Sequence, residues 1–179
     1  GIAGHAVLGN LIAGLQIALT QPFKLGDTVY IEENWGTIEQ VSYTYVVVNA
    51  WDHRRLVFPI KYFIDNWFEN WSLNKTYLVK PIYLHLDART PVDVIREKFI
   101  ELANEHEKFD ADGAEEPEVL VTDTDGDDIV LRCTSGGATV HDAWIMSCDL
   151  REQIVAFVRD LDGGAYLART RIELERENR

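Results

Sequence analysis

The first twenty residues, GIAGHAVLGNLIAGLQIALT, contain no Lys, Arg, Asp or Glu. As a helix such a run would extend about 30 Å, close to the hydrocarbon thickness of a bilayer. Small residues recur at Gly1, Ala3, Gly4, Ala6, Gly9, Ala13, Gly14 and Ala18, so neighbouring backbones could approach closely along several faces. His5, Asn10 and Gln16 would be costly against lipid tails but tolerable toward a bundle interior or a watery lumen. Two readings fit the segment taken alone: a membrane helix that packs against copies of itself, or a Gly-rich amphipathic helix buried in a soluble core. Pro22 is expected to end it, since proline lacks an amide donor and disfavours helical geometry in the residue before it.

From Phe23 to about Trp71 the pattern shifts to short alternating runs punctuated by turn residues. Gly26-Asp27 predicts a turn and Val29 with Ile31 a half-buried strand. Asn34 to Gly36 predicts the next break, followed by strands over Thr37 to Val41, Tyr45 to Ala50 and, after an Asp52-His53 corner, Arg55 to Phe58. Pro59 is expected to end the last long strand, with one short turn or strand within Ile60 to Phe68. Four or five strands in so short a stretch would close best as a small barrel or sandwich, because an open sheet leaves its edges unpaired.

The remaining chain predicts a β-α-β-β-α-β order. Tyr77 to Leu86 reads as a strand. Thr90-Pro91-Val92-Asp93 then supplies a cap, a proline at the first helical position and an acidic first turn. The helix should run to about residue 106 with Val94, Ile95, Phe99 and Leu102 on one face. Glu118 to Thr122 and Ile129 to Thr134 read as strands around a tight Asp125-Gly126 turn. After a Gly136-Gly137 loop, Ala143 to Val158 carries apolar residues at helical spacing, and Ala165 to Leu174 alternates as a last strand. This is the split arrangement of ferredoxin-like folds.

The 179 residues leave room for one ordinary domain or two small ones, and the 46% apolar, 26% charged composition is that of a folded chain. The formal charge of −13 falls unevenly: residues 1–20 carry none, residues 21–76 a net −2 and residues 77–179 a net −11. Such a balance repels phosphate backbones and argues against a nucleic-acid partner. Cys133 and Cys148 fit neither a disulfide framework nor a zinc site and suggest reduced thiols. The single methionine is Met146, so the chain is expected to be part of a longer protein. No basic leader of a signal peptide precedes the apolar stretch.

Candidate chemistry is sparse. Asp123, Asp125, Asp127 and Asp128 invite a calcium loop, but its glycine would fall at Asp128 and its closing glutamate at Thr134, so a solvated hairpin is expected. The five histidines, His5, His53, His85, His106 and His141, lack metal-ligand spacing. Cys133 sits mid-strand with nothing to activate it and reads as a buried thiol. Ser135-Gly136-Gly137 resembles a phosphate loop only in glycine content, with no following Lys or Arg. No enzyme is expected, and no metal or cofactor is called for.

A family resemblance rests on the small-residue helix ending Asn10-Leu11-Ile12-Ala13-Gly14, on Gln21-Pro22-Phe23-Lys24-Leu25-Gly26-Asp27-Thr28-Val29, on Gly36-Thr37-Ile38 and on the late Pro59. In these the chain resembles the mechanosensitive channels of small conductance, the MscS-like family. The resemblance implies an α+β chain in three parts: a pore-lining transmembrane helix over 1–21, a small Sm-like β barrel over 22–74, and a ferredoxin-like vestibule domain over 75–179. It implies further membrane helices upstream, a multi-pass place in a bacterial-type inner membrane, and a homo-oligomer of seven subunits. Its partners would be membrane lipids and permeating ions and small osmolytes, released when hypo-osmotic swelling stretches the membrane. Position by position, Ile2 falls at the second of two apolar rings that close the pore, with Ala6, Gly9 and Ala13 along the pore-facing side. Gly14 matches a glycine associated with helix bending, and Asn10 a polar residue near the contact between helix and cytoplasmic domain. Ala6 stands where the best-known members carry a hinge glycine, which leaves Gly4 and Gly9 as substitutes. Pro59-Ile60-Lys61 lacks the usual asparagine after the proline. The competing expectation is a soluble adaptor that binds a peptide or regulatory partner, with residues 1–20 as an oligomerisation helix.

Overall fold

Helix α1 (Ile2–Thr20) runs without a charged residue and ends at Gln21, whose backbone turns left-handed (φ 46°) and whose amide donates to the Ile17 carbonyl at 2.8 Å. Pro22 is the reason: it crowds the helical conformation of the residue before it. In the computed structural model, residues 2–73, 78–110 and 116–167 are described, with the side chains of α1 described at residues 7–9 and from 11 onward. The chain divides into two units, Gly1–Thr76 and Tyr77–Arg179, and the architecture is mixed α+β.

The first unit joins α1 to five strands and a short helix: β1 (Thr28–Ile31), β2 (Asn34–Val41), β3 (Tyr45–Ala50), β4 (Arg55–Pro59), α2 (Tyr62–Asp65) and β5 (Glu69–Asn70). The strands form one antiparallel sheet in the order β4-β3-β2-β1-β5. Alternation puts Val29, Ile31, Ile38, Val46 and Val48 inside, where Phe23 and Phe63 pack with ring centroids 4.6 Å apart. β2 and β3 approach so closely that a Cβ on Gly36 would lie 2.4 Å from the Asn49 carbonyl oxygen.

The strand positions follow the alternation, with two corrections. The first hairpin turns at Glu32-Glu33 and not at Asn34 to Gly36: Ile31 pairs with Asn34, and both glutamates adopt left-handed backbone (φ 48° and 60°). Such two-residue turns favour Asn-Gly, so the residue types concealed the turn. The anticipated barrel is not closed by hydrogen bonds among the described residues, since β4 and β5 pair only inward. The short turn expected within Ile60 to Phe68 is present as one turn of helix, α2, before the short β5.

The second unit contains β6 (Leu78–Val79), β7 (Ile82–Asp87), α3 (Val92–Glu105), β8 (Glu118–Asp125), β9 (Asp128–Thr134), β10 (Gly136–Gly137) and α4 (Val140–Asp160), then a 3-10 turn at Leu161–Gly164. β9 lies between β7 and β8 in an antiparallel sheet, and β10 pairs with β6. One face of β7 gives Ile82, Leu84 and Leu86 to the core, and β9 gives Ile129, Leu131 and Cys133. Ile95, Phe99 and Ala103 of α3 meet them at four-residue spacing, as do Met146, Leu150, Ile154 and Val158 of α4.

Here too the departures have local causes. Pro81, which cannot donate to a ladder, separates β6 from β7. The Thr90 hydroxyl donates to the Asp87 carbonyl at 2.5 Å and caps no helix amide. α4 begins three residues earlier than the apolar spacing implied, because Thr139 caps it: its hydroxyl oxygen accepts from the Asp142 amide at 3.0 Å. Gly136-Gly137 is strand and not loop, and a Cβ on Gly137 would meet the Ala143 nitrogen at 2.5 Å. Of the expected last strand, Leu167 bridges Leu86; residues 168–174 lie outside the described residues.

Candidate functional site: the junction of the helix and the β domain

α1 is seated on the β domain by one face only. Ala13 and Ile17, four residues apart and 4% and 5% exposed, enter the same core as Phe23, Ile38 and Ile60. Burying two side chains of this size stabilises the seat by a few kcal/mol at most. Between them Gly14 faces the β2–β3 turn, where a Cβ would stand 3.2 Å from the Tyr43 carbonyl oxygen and 3.8 Å from Ile60. One helical turn earlier, Gly9 stands over the aliphatic stem of Lys61, 3.8 Å from where its Cβ would be. Lys61 in turn pairs with Asp65 across α2.

The turn itself is tied down. The Ser42 amide donates to the Tyr45 carbonyl at 2.8 Å and the Ile60 amide to the Thr44 carbonyl at 2.9 Å. Tyr43 itself is left 84% exposed. Beside it a cavity of about 410 Å³ opens under the helix, lined by Gly14, Ile17, Ala18, Val41, Tyr43 and Ile60.

The other faces of α1 carry Val7, Leu8, Leu11, Ile12, Leu15 and Leu19, all exposed. A patch of this size on a single chain marks an interaction surface. Among the described residues no helix is long and apolar enough to cross a membrane. His5, Asn10 and Gln16 fall within a 19-residue helix, and each lowers its affinity for hydrocarbon.

Of the residues singled out in the sequence, Gly9, Ala13 and Gly14 are brought together on the face turned to the β domain. Ala13 is packed into its own chain's core. Ile2, Gly4, Ala6 and Asn10 lie on α1, their side chains outside the described residues. Tyr43 and Lys61, which hold the helix from below, carry no signal in the sequence: each meets α1 across a long chain separation.

The remaining candidates resolve as ordinary structure. Asp125 and Asp128 close the β8–β9 hairpin around Gly126 at φ 58°, and among the described residues no three His, Cys, Asp or Glu side chains are grouped to hold a metal. Cys133 is buried mid-sheet, and desolvation pushes its thiol up to about 12, far from a thiolate nucleophile. His106 accepts from the Lys108 amide at 3.1 Å through Nδ1 and meets Asp149 at 3.2 Å through Nε2, joining α3 to α4.

This geometry, a small-residue helix seated by its last turns on a five-stranded β domain, coincides with a known family. Residues 6–73 match the family described as mechanosensitive ion channel, beta-domain. The chain is 30% identical over 102 residues to the miniconductance mechanosensitive channel MscM of Escherichia coli, covering 57% of this chain and 9% of that one. It is 27% identical over 106 residues to the mechanosensitive channel MscK of the same organism, covering 59% and 10%. Among solved structures, the closed-state crystal structure of Helicobacter pylori MscS matches with a TM-score of 0.75 at 16% identity, covering 99% of this chain and 68% of that one. Arabidopsis thaliana MSL1 matches at 0.67 and 15% identity, over 90% and 59%. Residues 6–73 thus match the β domain of the MscS-like family of mechanosensitive channels, a family of channels and not of enzymes. It spans about a tenth of the length of MscM and MscK.

Proposed function

We propose that this chain is the pore-helix end and cytoplasmic part of an MscS-type channel that membrane tension opens to release ions and small solutes during hypo-osmotic shock. The observation that carries the reading is the continuous match from α1 through the β domain, with α1 seated by one face and its other large apolar side chains left uncovered. Copies of the same helix gathered around an axis would cover them, and the glycines and alanines of α1 let such neighbours slide at little steric cost.

In this reading the protein is a homo-oligomer, a heptamer, in a bacterial-type inner membrane with further membrane helices before Ile2. The β domain is Sm-like and the second unit, with strand order β7-β9-β8 and Leu167 beside β7, is a ferredoxin-like wall of a cytoplasmic vestibule. Domain limits at 1–21, 22–74 and 75–179 follow. Ile2 and Ala6 line the narrow part, where an apolar ring excludes ions by dewetting until widening readmits water. Gly4, Gly9, Asn10 and Gly14 are the bending and packing positions. Tension favours whichever arrangement occupies more membrane area.

The test is patch recording of the whole protein reconstituted in lipid, together with survival of a channel-deficient host after hypo-osmotic dilution. Tension-gated currents and rescue are expected. A silent membrane up to its lytic tension, or a monomer by mass in detergent, would overturn the reading.

A further inference from the structure

A second concave site lies in the first unit, where the tip of the β1–β2 hairpin faces α2. It is a cavity of about 430 Å³ with Ile31 at its base and Tyr30, Tyr62 and Trp67 among its walls. That volume falls in the ordinary range for small-ligand pockets, roughly 300–1,000 Å³. Its charged groups are of one sign, beside the neutral Asn66. Glu32 and Glu33 line it, and no Lys, Arg or His does. Among the described residues neither glutamate forms an ion pair.

The walls are held in place. Glu32 accepts the Tyr62 hydroxyl, which ties the hairpin tip to α2 and, by that hydrogen bond, raises the tyrosine above its ordinary value so that it stays a donor. The Asn34 carboxamide donates to the Glu32 carbonyl at 2.5 Å. The Tyr30 ring is stacked on Trp71, centroids 5.7 Å apart and planes within 6°. Trp67 is 79% exposed, a large ring presented to solvent at the rim of an acidic pocket.

Three aromatic side chains and two carboxylates suit one class of ligand. A hard divalent ion would want six or more oxygens, and two carboxylates fall short of that. Anions and nucleotides are repelled. A soft organic cation is attracted to ring faces and to negative charge together, and quaternary ammonium groups are recognised by such walls. We infer that the cavity between the β1–β2 hairpin and α2 binds a small quaternary ammonium cation of the choline class, with Trp67, Tyr62 and Tyr30 against its methyl groups and Glu33 as its counter-charge. A zwitterion such as glycine betaine is disfavoured, because its carboxylate enters the same acidic pocket. The inference does not depend on the channel reading.

Calorimetric titration of the full chain with choline chloride, against sodium chloride and glycine betaine at matched concentration, tests this. Saturable one-to-one binding with a dissociation constant of about 1 mM or tighter is expected, weakening as ionic strength rises. Glu33→Gln and Trp67→Ala should each weaken it about threefold to tenfold with the melting temperature unchanged; Trp67→Leu serves if the alanine variant fails to fold. Absence of saturable heat, betaine binding as tight as choline, or choline binding unaltered in both variants would overturn the proposal.

Discussion

Gly14 of α1 and Tyr43 of the β2–β3 turn meet without a side chain between them: the Tyr43 carbonyl oxygen lies 3.2 Å from where a Cβ on Gly14 would begin. The helix can sit this low because residue 14 has no side chain, and Ala13 and Ile17 reach the core on either side of it.

Substitution at Gly14 should therefore divide by size. Gly14→Ala asks the turn to yield by a few tenths of an ångström, and the helix propensity gained, about 1 kcal/mol, offsets that crowding. Gly14→Val gains less helix propensity and should cost about 1–3 kcal/mol by overpacking. Urea denaturation followed by tryptophan emission measures both. Equal losses for Ala and Val would mean that the carbonyl contact does not set the seat of the helix.

The glycines of the two units predict a second contrast. Gly36→Ala and Gly137→Ala place a Cβ 2.4 Å from the Asn49 carbonyl oxygen and 2.5 Å from the Ala143 nitrogen. Backbone cannot yield there as a side-chain end could, so each should cost at least about 3 kcal/mol. Gly126 has φ 58° and open space around it, so Gly126→Ala meets only left-handed strain, roughly 1–2 kcal/mol. Thermal melts of the three variants should rank in that order.

How far the sequence shows all this depends on whether a residue's role is local. Strand β4 and the core face of α3 can be read from alternation and from the spacing of Ile95 and Phe99, because burial of one face imposes the period. The left-handed Glu32-Glu33 turn could not be read, since its residue types favour other conformations and the strand register imposes the turn. The same holds for the site. Gly14 stands out as a small residue, but Tyr43 and Ile60, which give it meaning, meet it only when the sheet folds.

The Thr139 cap on α4 makes a prediction in pH. Its hydroxyl donates to Asp142 at 2.7 Å, and chiefly for that reason, with help from Lys108, the Asp142 carboxyl is held below its ordinary value of 3.8. A group whose folded-state value is depressed contributes stability above its unfolded value and loses it as pH falls through the folded one. Thr139→Ala should cost about 1 kcal/mol near neutrality. The gap between wild type and Asp142→Asn should be full at neutral pH and shrink as pH drops below 3.8. Denaturation at pH 7 and near pH 3 checks this; a gap that widens in acid contradicts it.

At the proposed gate, Ile2→Ser should hydrate the constriction and lower the tension needed for opening, because dewetting depends on an apolar ring. Patch recordings give the threshold directly. An unchanged threshold would remove Ile2 from the gate while leaving the seat of α1 on the β domain as described.

Ion preference follows from where the charge resides. Residues 77–179 carry a net −11 per chain, and Asp123, Asp125, Asp127 and Asp128 of the β8–β9 hairpin are all exposed. Repeated around a ring and facing an enclosed antechamber, such charge concentrates cations and depletes anions before they reach the pore. The expected result is a reversal potential displaced toward cation permeation in a salt gradient, diminishing as ionic strength rises and screening shortens the reach of the field. Neutralising the four hairpin aspartates to asparagine should reduce the displacement if they line the antechamber. If the wild type prefers anions, the acidic groups face outward and serve solubility instead.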